Sequence, residues 1–130
     1  MMTWNANAQG RFNEMEYGKT QTVFHLNAPS MPKVRIYKDA QGGKPIKTVK
    51  MRALGNNRWE AILKGDLAGR FYTFDMGLGE CPGTFAKAVG VNGNRGAILN
   101  MADTDPEGWS HDRRPALASP ADLVIYELHM

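Results

Sequence analysis

The sequence predicts an all-β chain: an immunoglobulin-like β-sandwich of about seven strands, then an extended linker and one orphan strand. Three observations carry that prediction. Between residues 20 and 76, segments with apolar residues at every second position recur about every ten to thirteen residues. Gly, Asn and Asp cluster between them, as turns require. A third segment type, the apolar run Leu123-Val124-Ile125-Tyr126 with Leu128, reads as a strand buried on both faces. No stretch shows the spacing of three or four residues that would place a helix.

The elements follow in order. Residues 1–16 lack sustained periodicity and read as an arm, with Trp4 and Phe12 as its anchors. Residues 20–26 form the first strand, ended by Pro29 and Pro32, which cannot donate to a ladder. In 33–38, Val34 and Ile36 face one way while Lys33, Arg35 and Tyr37 face the other. Residues 46–54 are expected to be one strand, with Val49, Met51 and Ala53 sharing a face. After Gly55-Asn56-Asn57, the strand 58–64 places Trp59 with Ala61 and Leu63 toward the core. The last sandwich strand is 70–76, and the breaker cluster 77–83 follows it. From there to 120 the chain reads as a connector holding one short strand at 97–100. Connectors of that length are uncommon inside compact domains, and this one reads as a strap over a neighbouring domain.

Composition limits the chemistry. A chain of 130 residues makes one ordinary domain and is too short for an additional (β/α)8 barrel, which needs roughly 250. No apolar run approaches the roughly 18 residues of a membrane helix, so no membrane partner is expected. The first ten residues carry no secretory pattern, which implies a cytoplasmic protein if the chain start is native and an exported one otherwise. One cysteine, Cys81, excludes an internal disulfide, and His25, His111 and His129 lack metal-ligand spacing. No metal or cofactor is therefore expected. Residues 33–70 hold ten Lys/Arg against Asp39, Glu60 and Asp66. That excess reads as the solvated face of a sheet, and a basic nucleic-acid-binding sandwich is the weakest alternative.

Four motifs then narrow the reading: 86–96 (AKAVGVNGNRG), 105–109 (DPEGW), 112–115 (DRRP) and 125–129 (IYELH). Together, and in this order, they resemble type I pullulanase of the α-amylase superfamily. The chain differs from the usual pattern at Pro82-Gly83-Thr84-Phe85-Ala86 and at Asn27-Ala28-Pro29, where many relatives carry Asp-Pro-Tyr-Ala and a tryptophan. The resemblance implies an N-terminal sandwich linked to a catalytic barrel whose first strand begins near residues 125–129. The expected organisation is an arm (1–16), a sandwich (17–79), a linker strap (80–120) and the first barrel strand (121–130).

The same resemblance implies an accessory domain of an enzyme hydrolysing α-1,6-glucosidic branches in pullulan, starch or glycogen. Its partners would be α-glucan, through the parent enzyme, and the chain's own barrel, docked through Trp109, Arg114 and Tyr126. An independent glycan-binding module is the alternative. No catalytic residue carries over: a glycosidase needs two carboxyl groups roughly 5–10 Å apart, and Glu127 in the terminal run has no partner of suitable placement within ten residues. A sugar platform needs exposed rings, and strand parity points Tyr37 and Phe71 outward, flanked by Arg35 and Thr73. The terminal strand, lacking barrel neighbours, is expected to pair with a second copy as a homodimer or to fold back on its own sandwich.

Overall fold

The computed structural model describes residues 13–129, so Trp4 and Phe12 lie outside the described residues. Two antiparallel sheets pack face to face. The first contains β1 (Met15–Glu16), β2 (Gln21–Asn27), β6 (Arg58–Lys64) and β5 (Arg52–Gly55), paired in that order. The second contains β4 (Lys47–Lys50), β3 (Lys33–Tyr37), β7 (Phe71–Asp75) and β8 (Glu80–Cys81), with β9 (Gly96–Ala97) also paired to β7. The all-β sandwich expected from the alternating pattern is what forms, and among the described residues the only helical pieces are short 3-10 turns. None is long and apolar enough to cross a membrane.

Period-two alternation decides which residues fill the interior. Phe24 and Leu26 of β2 meet Val34 and Ile36 of β3 and Tyr72 and Phe74 of β7, all buried. Three rings form the centre, with centroids 5.1 Å apart for Phe24–Tyr72, 5.5 Å for Tyr72–Phe74 and 6.2 Å for Phe24–Phe74. Tilted and edge-on arrangements at such spacings stabilise by about 0.5–1.5 kcal/mol per pair beyond area burial. Trp59 lies on the same face as Ala61 and Leu63, as parity requires, packed against this core but half-buried. Its indole N–H donates to the Ala28 carbonyl at 2.9 Å, which satisfies the one polar atom of the ring.

The segment 46–54 departs from expectation. It is two strands in different sheets: β4 pairs with β3, and β5 pairs with β6. Met51 sits alone between them, buried, and its N–H donates to the Pro32 carbonyl at 3.0 Å. A strand that switches sheets turns a corner, so the shared face fails: Val49 packs on the core while Ala53 is exposed. Alternation alone does not mark the corner, because both halves keep a period of two.

The sandwich also extends further along the chain than residue 79. β7 and β8 form a hairpin with Asp75 opposite Glu80, and the Gly77 N–H donates to Asp75 Oδ1 at 2.8 Å. Gly77 and Gly79 sit at φ 91° and 127°, a region that side chains rarely adopt. What reads as a breaker cluster is therefore a tight reversal inside the second sheet. Gly96 of β9 is there because a Cβ at this position would lie 2.3 Å from the Tyr72 ring. Ile98, fully buried, closes the core, and its N–H donates to the Arg70 carbonyl at 2.8 Å. The short strand expected at 97–100 is reduced to Gly96–Ala97.

Beyond Ile98 the chain runs through 3-10 turns at Met101–Thr104, Trp109–His111 and Pro120–Asp122. Residues 123–129 form no ladder with any described strand, and their side chains are exposed. A strand exists only by pairing, so an apolar run without a neighbour remains a candidate strand and no more.

Candidate functional site

The outer face of the second sheet brings together the four residues expected to hold sugar. β3 supplies Arg35 and Tyr37, and β7 supplies Phe71 and Thr73, with Arg35 opposite Thr73 and Tyr37 opposite Phe71 in the register. The β7–β8 hairpin adds Asp75 and Glu80, which strand parity alone does not single out. Arg35 reaches both carboxylates: Nη2 donates to Asp75 Oδ2 at 2.6 Å and Nη1 to Glu80 Oε1 at 3.0 Å. Glu80 Oε2 accepts from Tyr37 Oη at 2.5 Å and from Thr73 Oγ1 at 2.6 Å.

This face is not the open platform that parity predicts. Tyr37 and Thr73 are buried, and Phe71 is half-buried. The Arg95 guanidinium lies 3.5 Å from the Tyr37 ring centroid, anchored by a 2.7 Å bond from Nη1 to the Asp39 carbonyl. Gly90 crosses Phe71 so closely that a Cβ there would come within 3.1 Å of the ring. Parity gives the direction in which a side chain points; it says nothing of chain that later folds over it. Here Val89 and Gly96 bridge, the Gly90 N–H donates to the Arg95 carbonyl, and the loop between them covers the rings.

Two carboxylates gripped by one guanidinium raise the question of general acid–base chemistry, and their electrostatics answer it. A glycosidase acid must hold its proton near neutral pH, so its pKa has to be raised. The Gly77 N–H, followed by Arg35, holds Asp75 below the usual carboxylate range. Burial pushes Glu80 up, but the Thr73 and Tyr37 hydroxyls and Arg35 outweigh it and the net direction is down. Arg35 itself is raised, first by its bond to Asp75. Both carboxylates are therefore favoured in their charged, hydrogen-bond-accepting form, and the cluster is a clamp that ties β3 to the β7–β8 hairpin.

Other expected residues lie apart from this face. Trp109, Arg114 and Tyr126 are all exposed along the connector, Tyr126 at 83%. Glu127 is exposed. His25 is on the first sheet, its Nε2 3.1 Å from Glu60 Oε2, while His111 and His129 are exposed on the connector. Arg52 holds the other oxygen of Glu60 at 2.5 Å and, with His25 second, lowers its pKa. Among the described residues no group of three or more His, Cys, Asp or Glu could hold a metal. Sequence reasoning passed over Glu14, a buried carboxylate that accepts from the backbone N–H groups of Thr84 at 3.2 Å and Phe85 at 2.7 Å. Burial raises its pKa. Its only sequence signal is an acid just ahead of the first strand.

With the geometry in place, comparison with known proteins becomes decisive. The chain is 31% identical over 118 residues to a pullulanase of Bacillus subtilis, covering 88% of this chain and 16% of the relative. A crystal structure of pullulanase from Paenibacillus barengoltzii, in complex with maltohexaose and α-cyclodextrin, superposes with a TM-score of 0.80 at 41% identity, over 88% of this chain. The chain is a pullulanase-related domain. The pullulanase from Bacillus acidopullulyticus gives a TM-score of 0.78 at 31% identity, again over 88% of this chain. No family model matches. The chain spans 18% and 15% of those two crystallised pullulanases, so the likeness places a sandwich and its connector within far longer enzymes.

Proposed function

We propose that this pullulanase-related domain is a non-catalytic accessory domain of an enzyme that hydrolyses α-1,6-glucosidic branches in α-glucans. In this reading the sandwich buttresses the catalytic barrel, and the connector is the docking strap, with Trp109, Arg114 and Tyr126 as its contacts and 121–130 entering the barrel as its first strand. The observation that carries the proposal is the pattern of exposure along the connector. Trp109 at 57%, Val124 at 94%, Ile125 at 86% and Tyr126 at 83% exposed form an apolar series that a neighbouring domain would cover. Neither Asp75 nor Glu80 is shifted upward as a glycosidase's general acid requires, which supports the non-catalytic assignment.

Complementation tests it. A Bacillus subtilis pullulanase lacking its matching segment should recover stability and pullulan hydrolysis when this chain is added in trans. A chain carrying Trp109→Ala and Tyr126→Ala should restore much less. Equal rescue by both chains, or none by either, removes the docking role. The chain alone should release no reducing sugar from pullulan above a buffer blank.

A further inference from the structure

Met51 joins the two sheets at the margin where β4 passes into β5, which leaves β1 and β8 at the opposite margin. There one side chain reaches across. Glu14, just ahead of β1 and only 3% exposed, accepts the backbone N–H groups of Thr84 at 3.2 Å and Phe85 at 2.7 Å. Its carbonyl accepts from the His25 N–H at 3.1 Å, so the same residue is fixed to β2. Gly83 makes the approach possible: it sits at φ 94°, and a Cβ there would lie 2.4 Å from Glu14 Oε2 and 2.9 Å from the Phe74 ring. A proline at 84 would have no N–H to give. Both positions lie in the stretch that departs from the Asp-Pro-Tyr-Ala of many relatives.

We propose that Glu14 is a proton-dependent latch that holds residues 82–85 against the first sheet and loosens as it ionises. The two backbone donors favour the carboxylate, and burial disfavours it. Burial is the larger effect, and among the described residues Glu14 enters no ion pair that would offset it. The titratable groups on the elements around it do not change this. Tyr72 of β7 is pushed up by burial and then by the Glu14 charge, and the His25 ring of β2 faces Glu60. Cys81 of β8 is half-buried, while Glu16 and Lys87 stand exposed. Opening frees the strap between two fixed ends, β8 and the 2.8 Å bond from the Ala97 N–H to the Ala88 carbonyl, and uncovers an edge of Phe74. A solvated Glu14 regains the ordinary carboxylate value, so protons favour the closed latch, and its hold weakens as pH rises through the folded value. What this movement does to a docked neighbour rests on the accessory reading above; the latch itself rests on Glu14 and its two donors.

The test follows amide hydrogen exchange and the Glu14 carboxyl carbon in the isotope-labelled full chain between about pH 4 and pH 8. The carboxyl should titrate above its ordinary value of 4.5. Over the same interval the protection of Thr84 and Phe85, corrected for intrinsic exchange, should fall, and both should exchange ahead of the amides of β3. Glu14→Gln cannot ionise and should abolish that fall. Its side-chain nitrogen cannot accept, so one of the two amides should also lose roughly three- to tenfold in protection, the loss of one bond. A carboxyl that titrates at or below 4.5, protection that stays level or rises with pH, or the same fall in Glu14→Gln overturns the latch. Exchange of Thr84 and Phe85 only at the rate of β3 overturns it too, because the strap would then open only with the whole sandwich. The carboxyl titration of the parent decides even where the variant fails to fold. None of these outcomes touches barrel complementation, so the two readings fall separately.

Discussion

The sandwich and the connector spend similar apolar residues in opposite ways. Residues 13–98 bury Phe24, Val34, Ile36, Tyr72, Phe74 and Ile98 to within 1% of complete. In 123–128, Leu123, Val124, Ile125, Tyr126 and Leu128 all stay more than half exposed. The apolar residues named in the two stretches are of similar kinds, with Val, Ile and aromatic residues in both. They differ in partners: each sandwich strand has a neighbour for its backbone and an opposite sheet for its side chains, and the terminal run has neither among the described residues. Burial is a property of the assembly that a segment joins, and composition reports only that a segment is ready to be buried.

Substitutions should follow that division. Phe74→Ala removes a ring from the central trio and should cost about 3–5 kcal/mol, read as a fall in the urea midpoint. Trp59→Ala should come near the lower end of that range, because Trp59 is half-buried and also loses its bond to Ala28. Either variant melting like the parent would show that the core lies elsewhere. Gly96→Ala should cost about 1–3 kcal/mol by driving a methyl into Tyr72. If it is silent, β9 is an appendage and the connector begins earlier than residue 99.

Acid should loosen the clamp and the first sheet together. Asp75, Glu80 and Glu60 have folded pKa values below their ordinary values of 3.8, 4.5 and 4.5. The stability they contribute is complete above those ordinary values and is lost as pH falls through the lower folded ones. Glu14 works the other way. Its folded value lies above 4.5, so its contribution is present in acid and is lost as pH rises through the folded value. The melting temperature of Glu14→Gln, measured against the parent, should therefore improve between about pH 4 and pH 7. A decline over that interval would mean that the bonds from Thr84 and Phe85 outweigh desolvation.

The smallest effects belong to the connector. Tyr126→Ala should change the stability of the isolated chain by less than about 0.5 kcal/mol, as for an exposed position. Truncation after Ser119 should leave the melting temperature unchanged. If 123–129 pairs with a second copy in solution, the same truncation should convert a dimer to a monomer by light scattering. A lower melting temperature in the truncated monomer would instead place the segment on its own sandwich.

Alternation made most of the sandwich legible, including the inward side of Trp59, because a period of two follows from backbone geometry alone. What it missed were long-range events. The corner at Met51 depends on Pro32, nineteen positions earlier in the sequence, accepting its N–H. The closure of Tyr37 depends on Arg95, 58 residues later, and the Asp75–Glu80 pair depends on a glycine-built reversal that looked like a break. The family motifs between 86 and 129 were readable, yet they lie mostly outside the core and say which family the domain resembles rather than how it stands.

The corner at Met51 also bears on how the molecule carries load. Strand β4 belongs to one sheet and β5 to the other, and a single residue joins them. The two leaves are thus stitched along one margin, where a pair of sheets connected only by slack loops could slide or peel. Under the docking role proposed above, strain from a neighbouring domain would enter at β9, pass to β7 and β3, and reach the opposite leaf through that stitch. Both leaves must then shift together. Such a coupling of the two leaves would suit the buttressing role proposed above.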